Sequence, residues 1–129
     1  MTGFEKKVIY AEKAPKAIGP YSVAIESGGF VFCSGQAGLD PATGELVSAD
    51  LEAQTHQVLT NLKNVLEAAG SSLEKVVKTT VFLRDMADFP KMNAIYAQYF
   101  SSSSPARSTI AAAGLPKNCI VEIEAIALK

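Results

Sequence analysis

The sequence predicts an α+β fold: a single mixed β-sheet with two helices packed on one face. Three observations support this. Six segments have the composition of strands, and two have the periodicity of helices. Their order gives two strand–helix–strand connections, and the right-handedness of such connections places both helices on the same side of the sheet. A chain of 129 residues with 48% hydrophobic content is long enough for one domain, predicted over residues 1–129.

The first three strands are predicted near the N-terminus. Residues 8–10 form a short strand, and residues 21–26 alternate apolar with small or polar side chains. The glycine pair at 28–29 turns the chain into a hairpin with residues 30–33. This last strand has no polar side, so we expect it to be covered on both faces. Residues 35–44 predict a loop.

Two segments have helical periodicity. The first begins near Asp50 and ends at Gly70, which occupies the position of a left-handed cap. The second is predicted to begin after Asp88, acting as its N-cap. The apolar stripe of the first helix comprises Leu51, Val58, Leu59, Leu62, Val65, Leu66 and Ala69. The inward residues of the second helix are Phe89, Met92, Ile95, Tyr96 and Tyr99.

Three further strands complete the sheet. Residues 76–83 are rich in Val and Thr, and residues 107–112 and 120–128 follow a serine linker at 101–104. In the last strand, Ile120, Glu122, Glu124, Ile126 and Leu128 share one face, and Val121, Ile123, Ala125 and Ala127 share the other. Two helices cover one face only. The second face is therefore predicted to pack against another copy of the chain in a closed homo-oligomer.

Composition restricts the class of partner. The chain has 12 Lys and Arg against 13 Asp and Glu, and no basic cluster, so nucleic acid is not expected as a partner. No apolar run approaches the roughly 20 residues of a membrane span, and no signal core opens the sequence. These features predict a cytoplasmic protein without a membrane partner. Cys33 and Cys119 are predicted to be reduced core thiols.

The only histidine, His56, lies off the apolar stripe of the first helix and is predicted to be a surface residue. No second His, Cys or acidic cluster is spaced to complete a metal site with it. Ser-His-Asp and Cys-His arrangements are not predicted either.

Arg107 lies in a run of small and apolar residues, where its charge requires a partner. One interpretation is a salt bridge with Glu122 or Glu124, within or between chains. The other is an anion site, in which the planar guanidinium binds a carboxylate through two parallel hydrogen bonds. Glu122 fits either a carboxylate paired across strands or a base that orients and deprotonates a water, and Glu124 fits the structural role as well as Glu122 does. Spacing alone does not separate these alternatives.

Five motifs occur in order along the chain: Ala17-Ile18-Gly19-Pro20-Tyr21, Ser34-Gly35-Gln36, Lys78-Thr79-Thr80-Val81-Phe82-Leu83, Pro105-Ala106-Arg107-Ser108 and Ile123-Glu124-Ala125-Ile126-Ala127. Together they resemble the RidA family, also called YjgF/YER057c/UK114, over nearly the whole chain. The resemblance implies a chorismate-mutase-like domain that assembles as a homotrimer around a central β-barrel, with active-site clefts between subunits.

The resemblance also implies an activity. RidA-like proteins are expected to hydrolyse 2-aminoacrylate and 2-imino acids, such as 2-iminopropanoate and 2-iminobutanoate, to 2-oxo acids and ammonia. Neither metal nor cofactor is expected, and the substrates would come from pyridoxal-phosphate-dependent dehydratases acting on serine and threonine. An alternative is a binding module that senses 2-oxo acids in the same clefts without turnover. A ribonuclease, an activity ascribed to some relatives, fits the balanced charge poorly.

The resemblance assigns roles to particular residues. Arg107 matches the arginine that binds the substrate carboxylate, and Glu122, rather than Glu124, matches the glutamate that positions the water. The matching pocket residues are Tyr21, Ser34, Gly35 and Asn93, and Thr109 stands where a backbone group contacts ligand.

Two questions stay open at the level of sequence. Burial would raise the pKa of Glu122 and a nearby Arg107 would lower it, and the sequence does not say which effect is larger. The short linker at 101–104 and the stretch at 110–114, with small residues at 111–114, depart from the family pattern beside the expected cleft. They leave the preferred size of substrate undecided.

Overall fold

The computed structural model describes residues 5–129 and contains one six-stranded sheet with two α-helices. The strands are β1 (Lys7–Ile9), β2 (Ala24–Ser27), β3 (Phe30–Ala37), β4 (Val76–Leu83), β5 (Ala106–Ala111) and β6 (Val121–Leu128), and the helices are α1 (Leu51–Ala68) and α2 (Phe89–Tyr99). The strand order is β1-β2-β3-β6-β4-β5, with β4 and β5 parallel and the other pairs antiparallel. The predicted mixed α+β sheet with two helices is confirmed. The sheet is open, with β1 and β5 at its edges, and does not close into a barrel within the chain.

Helix α1 forms where its periodicity predicts it. The Asp50 side chain accepts a hydrogen bond from the backbone N–H of Ala53 at 3.0 Å and so caps the helix start. Gly70 has φ +80° just beyond the helix end, a conformation that glycine adopts without strain. Every residue of the predicted stripe is buried. No helix within residues 5–129 has the length and apolar character needed to cross a bilayer.

The two faces of the sheet differ as predicted. Both helices pack on the face that carries the alternate β6 residues Val121, Ile123, Ala125 and Ala127, all of which are buried. The opposite side, here called the open face, leaves Phe32 44%, Ile110 48% and Leu128 45% exposed. Apolar exposure on this scale across several strands is typical of a surface that another chain covers.

The first hairpin differs from its prediction in two ways. Tyr21 is not in a strand, because its N–H donates to the Gly19 carbonyl at 2.8 Å in a turn and β2 begins only at Ala24. Strand β3 continues to Ala37, through the start of the predicted loop, with a register irregularity between Cys33 and Gln36. A bulge of this kind lets a strand accept a glycine and keep pairing beyond it.

The prediction that Asp88 caps α2 through its side chain is wrong. Asp88 precedes the helix but its side chain makes no capping hydrogen bond. Asp85 acts one turn earlier, where its carboxylate accepts from the N–H of Ala87 at 2.9 Å. The reason is a short 3₁₀ turn, Met86–Asp88, that leads directly into α2 and places Asp88 in helical conformation.

Both cysteines are free and buried, which confirms the predicted reduced thiols. Burial raises the pKa of Cys33 to about 12. Burial, with a smaller contribution from the Glu122 charge, raises the pKa of Cys119 to about 11. Neither thiol is a nucleophile at neutral pH, because only the thiolate reacts.

Candidate active site

A cavity of about 400 Å³ lies where the segment before β2 meets β3 and the start of β6. We call it the Glu122 cavity. Its lining includes four of the residues that the family resemblance assigns, namely Tyr21, Ser34, Gly35 and Glu122. Glu124 lines the same cavity, and Lys16 and Lys117 contribute cations that the sequence analysis did not identify.

Gly35 allows the Glu122 carboxylate to lie against the β3 backbone. A Cβ atom at position 35 would overlap the Oε2 atom of Glu122, so any larger residue there would displace the carboxylate. The neighbouring Ser34 hydroxyl donates to the Ser22 carbonyl at 2.6 Å, and the Tyr21 hydroxyl accepts from the Ile18 N–H at 3.4 Å. The first bond ties the segment before β2 to β3, and the second orders that segment internally.

Burial raises the pKa of the Glu122 carboxyl, and the negative charge of Glu124 raises it further. Arg107 is not among the groups that shift this pKa. Within one chain, burial therefore decides the question that the sequence left open. A carboxylate of raised pKa is a stronger base than an exposed one, which suits it to deprotonating water.

Gln54 fixes the backbone that leads into Glu122. Its side chain is 1% exposed, its amide nitrogen donates to the Ser48 carbonyl at 2.8 Å, and its amide oxygen accepts from the Ile120 N–H at 2.9 Å. Ile120 is two residues before Glu122. A residue of α1 thus holds the entry of β6, and buried hydrogen bonds of this kind are costly to break.

A second cavity, of about 600 Å³, lies between α2 and β5, and we call it the Arg107 cavity. Its lining includes Asn93, Tyr96, Ser101, Ser104 and Arg107. The Oδ1 atom of Asn93 is buried and has no hydrogen-bond partner among the described residues. An acceptor in this condition suits a ligand with an N–H or O–H donor.

Two aromatic rings of α2 flank the guanidinium of Arg107. Its central carbon lies 4.8 Å from the ring centroid of Tyr96 and 5.4 Å from that of Phe89. Both distances are within the range of cation–π attraction. Thr109, two residues along β5, has a buried hydroxyl without a partner in residues 5–129.

Arg107 and Glu122 lie on opposite faces of the sheet. Arg107 pairs with the fully buried Thr79 of β4, on the side that the helices cover, whereas Glu122 pairs with Phe82 on the open face. None of the ion pairs among the described residues joins Arg107 to Glu122 or Glu124. The interpretation of Arg107 as half of an intrachain salt bridge is therefore wrong. The two cavities do not form a common site within one chain.

Helical periodicity predicts Phe89 and Tyr96 as core residues but does not predict their contact with Arg107. The spacing of Phe89, Asn93 and Tyr96 does indicate a shared face, since intervals of four and three residues place all three on one side of α2. Periodicity shows that a face is buried. It does not show that a charged side chain from another element lies against it.

His56 is only partly a surface residue. Its Nδ1 atom lies 2.7 Å from the hydroxyl of Tyr99, and the side chain is half-buried between α1 and α2. The prediction of a plain surface histidine missed this contact. Within residues 5–129, no group of three or more His, Cys, Asp or Glu side chains is placed to hold a metal ion.

The family model described as Endoribonuclease L-PSP matches residues 11–129. Reactive Intermediate Deaminase A of Arabidopsis thaliana, a chloroplastic protein, is 53% identical over 123 residues, covering 95% of this chain and 66% of that protein. The 2-iminobutanoate/2-iminopropanoate deaminase of Mus musculus is 48% identical over 129 residues, covering 100% of this chain and 96% of that protein. The crystal structure of E. coli TdcF with bound serine has a TM-score of 0.91 and 41% identity, covering 95% of this chain and 98% of that chain.

Proposed function

Since the chain belongs to the Endoribonuclease L-PSP family, which includes the RidA proteins, we propose that it hydrolyses 2-imino acids to 2-oxo acids and ammonia. The observation that carries this proposal is Arg107, a guanidinium in a cavity with no carboxylate partner in the described chain. Two relatives named as deaminases, one of them named for 2-iminobutanoate and 2-iminopropanoate, support the reaction class. The bound serine in TdcF supports a small ligand that carries a carboxylate.

In the proposed reaction, Arg107 binds the substrate carboxylate through two parallel hydrogen bonds. Glu122, ionised, accepts a proton from a water molecule as the water oxygen bonds to the imine carbon. Glu122 returns this proton to the nitrogen of the resulting carbinolamine. The C–N bond then breaks as the hydroxyl becomes the carbonyl, and the hydroxyl proton passes to the released ammonia. The sum is one 2-imino acid in its iminium form and one water giving one 2-oxo acid and one ammonium ion. A 2-aminoacrylate substrate first becomes the imine by moving a proton from nitrogen to carbon.

A second copy of the chain is part of this proposal, because Arg107 and Glu122 lie on opposite faces of one sheet. We place the Glu122 cavity of one subunit beside the Arg107 cavity of its neighbour. Closed rotational symmetry would repeat this contact in every subunit, and a homotrimer with the open faces turned inward is the assembly we propose. The exposed Phe32, Ile110 and Leu128 side chains of the open face support such packing.

The reaction is tested by following 2-oxobutanoate formation from 2-iminobutanoate generated by a threonine dehydratase. We expect the purified protein to shorten the lifetime of the imine well below that of its spontaneous hydrolysis. Equal rates with and without the protein would contradict the proposal. If 2-oxobutanoate binds in a calorimeter but the imine decays at its spontaneous rate, the chain is a carboxylate sensor instead.

The shared site is tested by mixing two impaired variants, Arg107→Ala and Glu122→Gln, in one oligomer and measuring the rate at a substrate concentration well below KM, where both variants are slow. Neither variant alone has both side chains. Random assembly of equal amounts into trimers leaves about a quarter of the intersubunit sites with both an intact Arg107 and an intact Glu122. We expect co-expressed, differently tagged subunits to recover about that share of the wild-type rate. No recovery in verified mixed oligomers would mean that the site lies within one chain.

The word endoribonuclease in the family description is not supported by the charge of this chain. A polyanion is bound by clustered cations that release its counterions. Here 12 cationic residues oppose 13 acidic ones, and Lys16 and Lys117 share their cavity with Glu122 and Glu124. An RNA substrate would meet both carboxylates at that site.

A further inference from the structure

The side chain of Tyr96 connects the buried face of the sheet to Arg107. Its hydroxyl lies 2.7 Å from the hydroxyl of Thr79, and both residues are buried. Its ring lies 4.8 Å from the guanidinium carbon of Arg107. Thr79 is itself the register partner of Arg107 on the adjacent parallel strand. Thr79 and Arg107 therefore lie side by side on the helix-covered face of β4 and β5, and Tyr96 contacts both.

This arrangement restricts the tilt of the Tyr96 ring and, through it, the position of the Arg107 guanidinium. The hydrogen bond to Thr79 fixes the tilt of the Tyr96 ring, because a buried hydroxyl that rotated away would lose its partner. The packed ring of Phe100, whose centroid is 4.6 Å from that of Tyr96, limits the ring from another side. A fixed ring then offers the guanidinium one preferred position, reinforced by Phe89 at 5.4 Å.

We propose that Thr79 and Tyr96 are a positioning pair, which holds the Arg107 guanidinium in the orientation that binds a substrate carboxylate. The proposal rests on the proposed function for the identity of the ligand, but the ordering of Arg107 is a property of the free protein. An arginine side chain has four rotatable bonds, and ordering it before the ligand arrives removes a loss of entropy from binding. Thr79 lies outside the lining of the Arg107 cavity, and Tyr96, which lines it, acts in this scheme through Arg107, because its hydroxyl is already bonded to Thr79.

A positioning role predicts which kinetic constant changes. The carboxylate is not altered by the reaction, so its contact with Arg107 contributes equally to the bound substrate and to the transition state. Loss of such uniform binding raises KM and leaves kcat nearly unchanged. A residue that merely supports the fold would instead lower the amount of active protein, which reduces kcat and leaves KM as it was.

The test compares Tyr96→Leu, Tyr96→Phe and Thr79→Val with the wild type, using 2-oxobutanoate as the carboxylate probe in calorimetry and 2-iminobutanoate as the substrate. We expect Tyr96→Leu, which removes the ring, to weaken probe binding by about tenfold. Tyr96→Phe and Thr79→Val, which keep the packing and remove one hydroxyl each, are expected to weaken it by about threefold. Thr79→Ser should restore the affinity. KM should rise in parallel while kcat stays within about twofold.

A matched control lies one turn further along α2. Tyr99→Phe removes a hydroxyl bond of the same length, 2.7 Å to His56, from a tyrosine that does not contact Arg107. It should leave probe affinity unchanged. The double variant Thr79→Val/Tyr96→Phe removes both hydroxyls and leaves no orphaned group, so an affinity as low as in the single variants would identify lost positioning as the cause.

A second readout does not depend on activity. The chain has two arginines, Arg84 and Arg107, so the Nε–H signals in a nitrogen-15 NMR spectrum are easily assigned. We expect Arg107 to be ordered in the wild type and to lose order in Tyr96→Phe and Thr79→Val, while Arg84 does not change. Unchanged Arg107 order in folded variants would overturn the inference. Ordered Arg107 in a wild type that hydrolyses no imine would overturn the proposed function alone.

Discussion

Arg107→Ala is expected to lower kcat/KM for 2-imino acids by about a hundredfold to a thousandfold, which is the range for removing one partner of a desolvated, hydrogen-bonded charge pair. The affinity for 2-oxobutanoate should fall by a similar factor, because the product carries the same carboxylate. The protein should remain folded and assembled. Arg107 makes no ion pair within the described chain, so its removal leaves no buried carboxylate without a partner there.

Two further variants make this result specific. Arg107→Lys keeps the charge and loses the planar fork, so it should recover only a small part of the lost affinity. Lys91→Ala removes an exposed cation from α2, outside both cavities, and should bind and react as the wild type does. Size-exclusion chromatography reports the assembly. If Arg107→Ala dissociates into monomers, Arg107 instead forms a salt bridge between chains.

Local patterns predicted those elements whose stability is local. The stripe of α1, its Asp50 cap and Gly70 lie within a few residues of one another, and β4 was predicted at its observed bounds because Val and Thr dominate it. The predicted end of β3 was wrong because the pairing that extends this strand is not local. Gly35 is typical of a loop in sequence. It nevertheless lies within the strand, because β6, from a distant part of the chain, pairs with Gln36 and Ala37 beyond it, and the Glu122 side chain lies against it.

The sequence singles out residues that line the two cavities, but it does not predict how these cavities are arranged. Arg107 was identified because a charge among small residues is unusual, and that signal needs no structure. Its contact with Tyr96 and its separation from Glu122 depend on the register of β5 and β6 against β4. A shift of one residue would move the side chain to the other face of the sheet. The sequence of β5, which has no fully buried residue, specifies its register only weakly.

Glu122→Gln is expected to lower kcat by about a hundredfold to ten-thousandfold, the usual contribution of a general base, and to leave the affinity for 2-oxobutanoate within about threefold of the wild type. Gln keeps the shape of the side chain but does not accept the proton of the water. The matched control is Glu124→Gln, on the same face of β6 and in the same cavity. It should retain most of the rate. An equal loss in both variants would contradict the assignment of the base to Glu122.

The same pair predicts a pH effect. Glu122 acts when ionised, so the rate should fall as the pH drops through its pKa, which burial and then Glu124 raise above the ordinary value. Glu124→Gln removes the neighbouring negative charge and leaves the effect of burial on the pKa of Glu122. The acid limb of the pH–rate profile should therefore move to lower pH in this variant, because a neutral neighbour no longer opposes the ionisation of Glu122. A limb that stays in place would show that Glu124 does not influence the base.

As the pH rises, the free energy of unfolding should fall, whereas the rate of hydrolysis should rise. A carboxyl whose pKa is higher in the folded state than in the unfolded state favours folding when protonated, and this stabilisation is lost as the pH rises through the folded-state pKa. Gln does not ionise, so its contribution to the stability of the fold does not change with pH. The Tm of Glu122→Gln relative to the wild type should therefore increase between acidic and neutral pH. A constant difference across that range would mean that Glu122 is no more difficult to ionise in the fold than in water, and the burial that makes it a stronger base would then be absent.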